Sequence, residues 1–115
     1  MREIPKAEWI QFLDEFTREH QGWQVRVEVQ DAGAGPQVEA DGLPLQGVAA
    51  DHRRGAPDVA IIVGEESNPA VTRIIHGARR LRVEETAAGN IAALEIDAGR
   101  GSKTVVRLLQ VPQPA

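Results

Sequence analysis

At 115 residues, with 42% apolar and 26% charged side chains, the chain has the composition of one folded globular domain and not of a disordered segment. A formal charge of −4 argues against wholesale binding to nucleic acid or an anionic bilayer, and the absence of cysteine excludes disulfides, thiolate metal sites and cysteine nucleophiles. No stretch approaches the ~18 apolar residues of a membrane-spanning helix and no signal-type apolar region opens the chain, so the expectation is a cytoplasmic protein with no membrane contact.

The aromatic residues are Trp9, Phe12, Phe16 and Trp23 alone. Trp9, Phe12, Leu13 and Phe16 recur at i, i+3, i+4 and i+7, the spacing of one helix face. Pro5 suits the first helical position, and Ile4 can fold back on the first turn as a hydrophobic staple. Gly22 reads as a left-handed cap, with Trp23 packing back on the last turn. The helix region therefore spans residues 1–22.

From Trp23 the period falls to two. Trp23, Val25, Val27 and Val29 share one face of a strand, and Gln24, Arg26, Glu28 and Gln30 the other. Residues 31–36 form a turn rich in Gly and Pro. A strand over Gln37–Ala40 is expected to bend at Asp41-Gly42, and Pro44 places Leu43-Pro44-Leu45 at an edge or a kink. A strand resumes over Gly47–Asp51, and 52–57 is a loop. Val59–Val63 is a continuous apolar run, the pattern of a strand covered on both faces. Strands over Thr72–His76, Arg79–Glu85, Ala93–Asp97 and Lys103–Gln110 follow, the last two joined by a hairpin turn at Gly99-Arg100-Gly101-Ser102. The tail, 111–115, frays.

These elements predict an α+β, mostly β domain: an N-terminal amphipathic helix packed on a small, strongly curved antiparallel sheet or barrel of about six short strands over 23–110. No second helix is available for parallel crossovers.

Ile4-Pro5-Lys6 with the Trp9, Phe12, Leu13, Phe16 stripe, and then His20-Gln21-Gly22-Trp23, resemble the bacterial uncharacterised proteins grouped as domain of unknown function 5335. The likeness continues through Val38-Glu39-Ala40, Leu43-Pro44-Leu45 with Gly47, Leu81-Arg82-Val83-Glu84-Glu85 with Thr86, and Leu94-Glu95-Ile96. It implies no established activity, so no catalytic role is carried over.

Motifs for chemistry are weak throughout. Gly101-Ser102-Lys103-Thr104 lacks the spacing and the following helix of a phosphate loop and reads as a hairpin. His20, His52 and His76 are far apart, without the ligand spacing of a zinc site. Ser67 and Ser102 lie in turns with no adjacent base. Glu84 and Glu85, adjacent on a strand, point to opposite faces. We assign no catalytic, cofactor or metal residues. Eleven of the thirteen basic residues are Arg, and Arg79, Arg80 and Arg82 are the candidate anion or nucleic-acid contact, with Arg26, Arg73 and Arg107 able to join them if their strands are neighbours. The competing use of such arginines is cross-strand pairing with Glu28, Glu39, Glu84 or Glu95. Leu43, Pro44 and Leu45 are the candidate protein-interaction edge if they project outward. A non-enzymatic binding or protein-interaction module, self-associating through a strand edge, ranks first. A phosphate or nucleic-acid binder ranks second, and an enzyme last.

Overall fold

The computed structural model describes residues 1–31, 33, 35–51, 56–65 and 67–110. A short strand β1 (Arg2–Ile4) leads through a 3₁₀ turn at Lys6–Glu8 into helix α1 (Trp9–His20). Seven strands follow: β2 (Gln24–Gln30), β3 (Gln37–Ala50), β4 (Val59–Glu65), β5 (Asn68–Ile75), β6 (Arg80–Glu85), β7 (Ile91–Gly99) and β8 (Ser102–Gln110). All pair antiparallel in one sheet of order β1-β6-β7-β8-β2-β3-β4-β5. β1 and β5 are its two ends, so the sheet curves without closing. The expected helix and mostly β architecture is present, with eight strands rather than six.

The helix begins later than its proline suggests. Pro5 is extended (φ −60°, ψ 143°) and precedes the 3₁₀ turn, with the Glu8 N–H donating to its carbonyl at 2.9 Å. The indole N–H of Trp9 donates to the Ile4 carbonyl at 2.8 Å, which locks the exit of β1 to the first helical turn. Trp9, Leu13 and Phe16 are buried in the core; Phe12, on the flank of the stripe, is half-buried against it. Gly22 adopts φ +87°, where a Cβ would be strained, and the Trp23 N–H donates back to the His20 carbonyl at 3.0 Å.

The sequence suggests two strands on either side of Asp41-Gly42, but β3 is continuous. It absorbs the irregular residues as register shifts against β2, and it changes its role along its length. Gln37–Pro44 pair with β2, whereas Leu45–Ala50 pair with β4 on the other side. Beyond Pro44 the strand has left β2 behind, and α1 takes its place. The Gly22 N–H donates to the Leu45 carbonyl and the Leu45 N–H to the Trp23 carbonyl, both at 2.8 Å. The Thr17 hydroxyl then donates to the Val48 carbonyl and accepts from the Val48 N–H, each at 3.0 Å. One helical side chain thus satisfies both backbone groups that a neighbouring strand would have satisfied. Gly47 permits the approach, since a Cβ there would lie 3.0 Å from the Thr17 Cγ2.

Val25, Val27, Leu45, Val48, Ile61, Leu81, Leu94, Ile96 and Val106 form the sheet side of the core. β4 corrects one expectation. Val59, Ile61 and Val63 are fully buried, but Ala60 and Ile62 are half-buried and point away from the core. Its continuous apolar run is therefore covered on one face, not both. β1, absent from the sequence reading, pairs with β6 through Arg2↔Val83, Glu3↔Arg82 and Ile4↔Leu81. The hairpin at Gly99–Ser102 is as expected. The tail at 111–115 and most of the 52–57 loop lie outside the described residues.

Phe16→Ala should lower unfolding free energy by ~3–5 kcal/mol, and Phe12→Ala by less because Phe12 is only partly buried; urea titration of both variants measures the difference. Thr17→Val, which keeps the volume and deletes both Val48 bonds, should cost ~1–3 kcal/mol. Gly47→Ala should destabilise in the native background and less in Thr17→Ser, which removes the clashing methyl. A double-mutant cycle by thermal unfolding reads that coupling.

Candidate functional site

The outer surface of the sheet divides into two regions of opposite character. Over β1, β6, β7, β8, β2 and the first half of β3 it is a lattice of charges. Arg82 lies between Glu3 and Glu95 in adjacent strands, at 3.9 and 3.7 Å, and Lys103 approaches the same Glu95 carboxylate at 3.7 Å. Arg107 reaches Glu28 at 3.3 Å and Glu84 at 3.6 Å, and Arg26 bonds Asp41 at 3.1 Å. Glu95 is the most enclosed member of this lattice, and its Oε1 makes no hydrogen bond, so the two cations compensate it through charge alone. Exposed pairs of this kind add little stability singly. What they do is neutralise the face row by row.

The second region is the wing formed by the second half of β3 with β4 and β5. The register sets Gly47 beside Ile62 and Thr72, and Ala49 beside Ala60 and Ile74. These residues face outward, and none of the six is charged. Ile74 is 51% exposed. Between this surface and α1 lies a groove of about 590 Å³, floored by Gly47, Ala49, Ala60 and Ile62 and rimmed by Asp14, Thr17, Arg18 and Gln46. β5 has a strand neighbour on one side only, so an open backbone edge adjoins the apolar face.

The arginines singled out from sequence separate. Leu81 and Val83 point into the core while Arg80 and Arg82 face outward, as the alternation requires. Arg82 is engaged by Glu3 and Glu95. Arg79 lies just before β6; its N–H donates to the Asp97 carbonyl at 2.7 Å, and its guanidinium rests above Gly99. Arg79 and Arg80 have no ion-pair partner among the described residues and are exposed. Arg26 and Arg107 stand opposite one another on the charged face. Arg73 is not there. It crosses from β5 to donate to the Thr104 hydroxyl and the Glu39 carboxylate, both at 3.1 Å.

Leu45 is 1% exposed and belongs to the core, and Leu43 packs against it. Leu43 and Pro44 are both half-buried, so the stretch does not project its leucines outward as an apolar edge. His76 bonds Asp58 at 3.0 Å, whose other oxygen accepts the Gly77 N–H. His52 lies outside the described residues, and among the described residues no three metal-ligating side chains converge. Ser102 donates to Asp31 at the surface, with no base beside it. Among the described residues no helix is long and apolar enough to cross a membrane.

A match to the family of unknown function DUF5335 extends over residues 1–114. The chain belongs to that family. It is also similar to an uncharacterized protein of Aquifex aeolicus (strain VF5), with 29% identity over 105 residues, which is 91% of this chain and 88% of the relative. No solved structure matches.

The sequence signal for the apolar wing was present in Val59–Val63. It reads as burial on both faces, and the fold supplies cover for only one.

Proposed function

We propose that this protein is a non-enzymatic interaction module whose binding surface is the outer face of β3–β5, and that its occupant is a second copy of the chain. The observation that carries the reading is the apolar run of β4. Ala60 and Ile62 have the composition of an enclosed strand, yet the fold leaves them at the floor of an open groove. Apolar surface left uncovered by a protein's own fold is the usual mark of a contact surface. A second copy is favoured because the open β5 edge adjoins that face. Antiparallel pairing of β5 with its equivalent about a two-fold axis would satisfy both edges at once. The six outward residues Gly47, Ala49, Ala60, Ile62, Thr72 and Ile74 carry no charge to oppose the approach, in contrast to the lattice on the rest of the sheet.

Sedimentation tests this directly. The native protein should run as a dimer at ~100 μM, while Ile62→Glu and Ile74→Glu, with unchanged thermal midpoints, should run as monomers. A native monomer at ~1 mM overturns self-association.

A second reading, anion or single-stranded nucleic-acid binding, is favoured by two adjacent exposed cations without an ion-pair partner among the described residues, Arg79 and Arg80. It predicts retention of single-stranded RNA at ~20 mM salt, lost in Arg79→Glu with Arg80→Glu and lost in the native protein as salt rises. Absence of retention at low salt removes this reading.

A further inference from the structure

A separate cleft of about 660 Å³ opens at the C-terminal end of α1, away from the apolar wing. One wall is His20 and Trp23; the opposite wall is the turn between β6 and β7, with Ile91 behind it and Leu108 of β8 completing the apolar surface. The turn is held by its own bonds: the Thr86 N–H donates to the Asn90 carbonyl at 2.7 Å, the Gly89 N–H to the Thr86 carbonyl at 2.9 Å, and the Asn90 N–H to the Thr86 hydroxyl at 3.2 Å. The cleft is preformed rather than assembled by a loose loop.

His20 is the unusual residue. It is 8% exposed, stacked on Phe16 at 4.5 Å between ring centroids and edge-on to Trp23 at 5.0 Å. Its Nδ1 is 2.9 Å from the Phe16 carbonyl. A carbonyl can only accept, so Nδ1 carries the hydrogen, and in the Nδ1–H tautomer Nε2 is the lone-pair acceptor. Nε2 has no protein partner among the described residues. Unlike Glu95 Oε1, this atom is not sealed from solvent, and the residue that carries it lines an open cleft. The charges at the rim sharpen the chemistry. Arg2 is held by Glu85 at 3.0 Å and the two neutralise each other. Glu19, which also lines the cleft, has no such partner among the described residues. The groups left unspent include His20 Nε2, an acceptor in the Nδ1–H tautomer, the Glu19 carboxylate and the Asn90 side-chain amide, set beside an indole and aliphatic walls.

We infer that this cleft binds a small organic amine with an apolar body, its ammonium donating to His20 Nε2 and balanced by Glu19, and its body lying along Trp23, Ile91 and Leu108. An ammonium offers three donors and no acceptor, which complements this pair of groups. A carboxylate of the same shape would meet a lone pair and a like charge. Trp23 adds a ring face and edge to which a cation or an aromatic body is attracted.

Phenethylamine, phenethyl alcohol and phenylacetate share one body and differ in the terminal group, so titration of the full-length protein with each isolates the charge. Tryptophan emission is the readout. Trp9 is fully buried and Trp23 half-buried, so the change should vanish in Trp23→Phe. Saturable binding of phenethylamine is expected, with the alcohol at least about tenfold weaker and phenylacetate weaker still. Glu19→Gln, an exposed and structurally mild change, should weaken the amine about tenfold without affecting the alcohol. His20→Phe keeps the ring stacking and should weaken both ligands. If that variant unfolds, Glu19→Gln and a ligand-induced shift of the His20 Nε2 nitrogen resonance in the native protein carry the test. Equal binding of all three compounds, or no saturation by the amine at ~10 mM, overturns the assignment.

Discussion

The fold depends on how the second half of β3 is satisfied once it has parted from β2. A strand in that position would leave a row of unpaired backbone groups inside the molecule. Helix α1 removes the problem with one hydroxyl, since Thr17 both donates to and accepts from Val48, while the residues just after the helix serve Leu45. The helix is consequently fixed by polar geometry as well as by its apolar stripe. Its axis runs beside β3, and Gly47 sets the distance between them. Both cavities follow from this placement. The groove is what remains between the helix and the wing, and the His20 cleft is what remains where the helix ends.

Much of this was legible in the residues. The helix stripe, the Gly22 stop, the alternation in β2 and the hairpin at Gly99 are local patterns, and local patterns survive folding when nothing competes with them. What escaped the reading depended on partners distant in sequence. Three residues of β1 carry no periodicity, and they become a strand only because β6 offers an edge. The Asp41-Gly42 and Pro44 positions read as breaks, yet a long strand flanked on different sides along its length can absorb them as register shifts. Arg73 is an ordinary strand cation in sequence; its reach to Thr104 requires the sheet to curve back on itself. His20 showed no ligand spacing in sequence, and its burial between Phe16 and Trp23 is a property of the turn that follows.

The division of the outer surface has a common physical basis. Where strands carry alternating polar residues, neighbouring rows can pair Arg with Glu and the face is self-sufficient in water. β4 has no polar residue to contribute between Val59 and Val63, so the wing has no such means of completing itself. The arginines that drew notice from sequence therefore belong mostly to the self-sufficient part of the molecule, and the uncharged β4 to the part that is not.

The pairing of β1 with β6 also constrains the order in which the chain can assemble. Arg2 lies opposite Val83 and Ile4 opposite Leu81, so roughly eighty residues separate the partners of this ladder, and such distant contacts are slow to close. The backbone bonds of the adjoining helix are local, so it needs no partner as distant as β6. During synthesis its leading strand must then wait, unpaired, until β6 has left the ribosome. The Trp9 bond to the Ile4 carbonyl connects these two ranges of contact: it holds the late-pairing strand to the locally bonded helix, so that when β6 arrives the missing edge is already oriented.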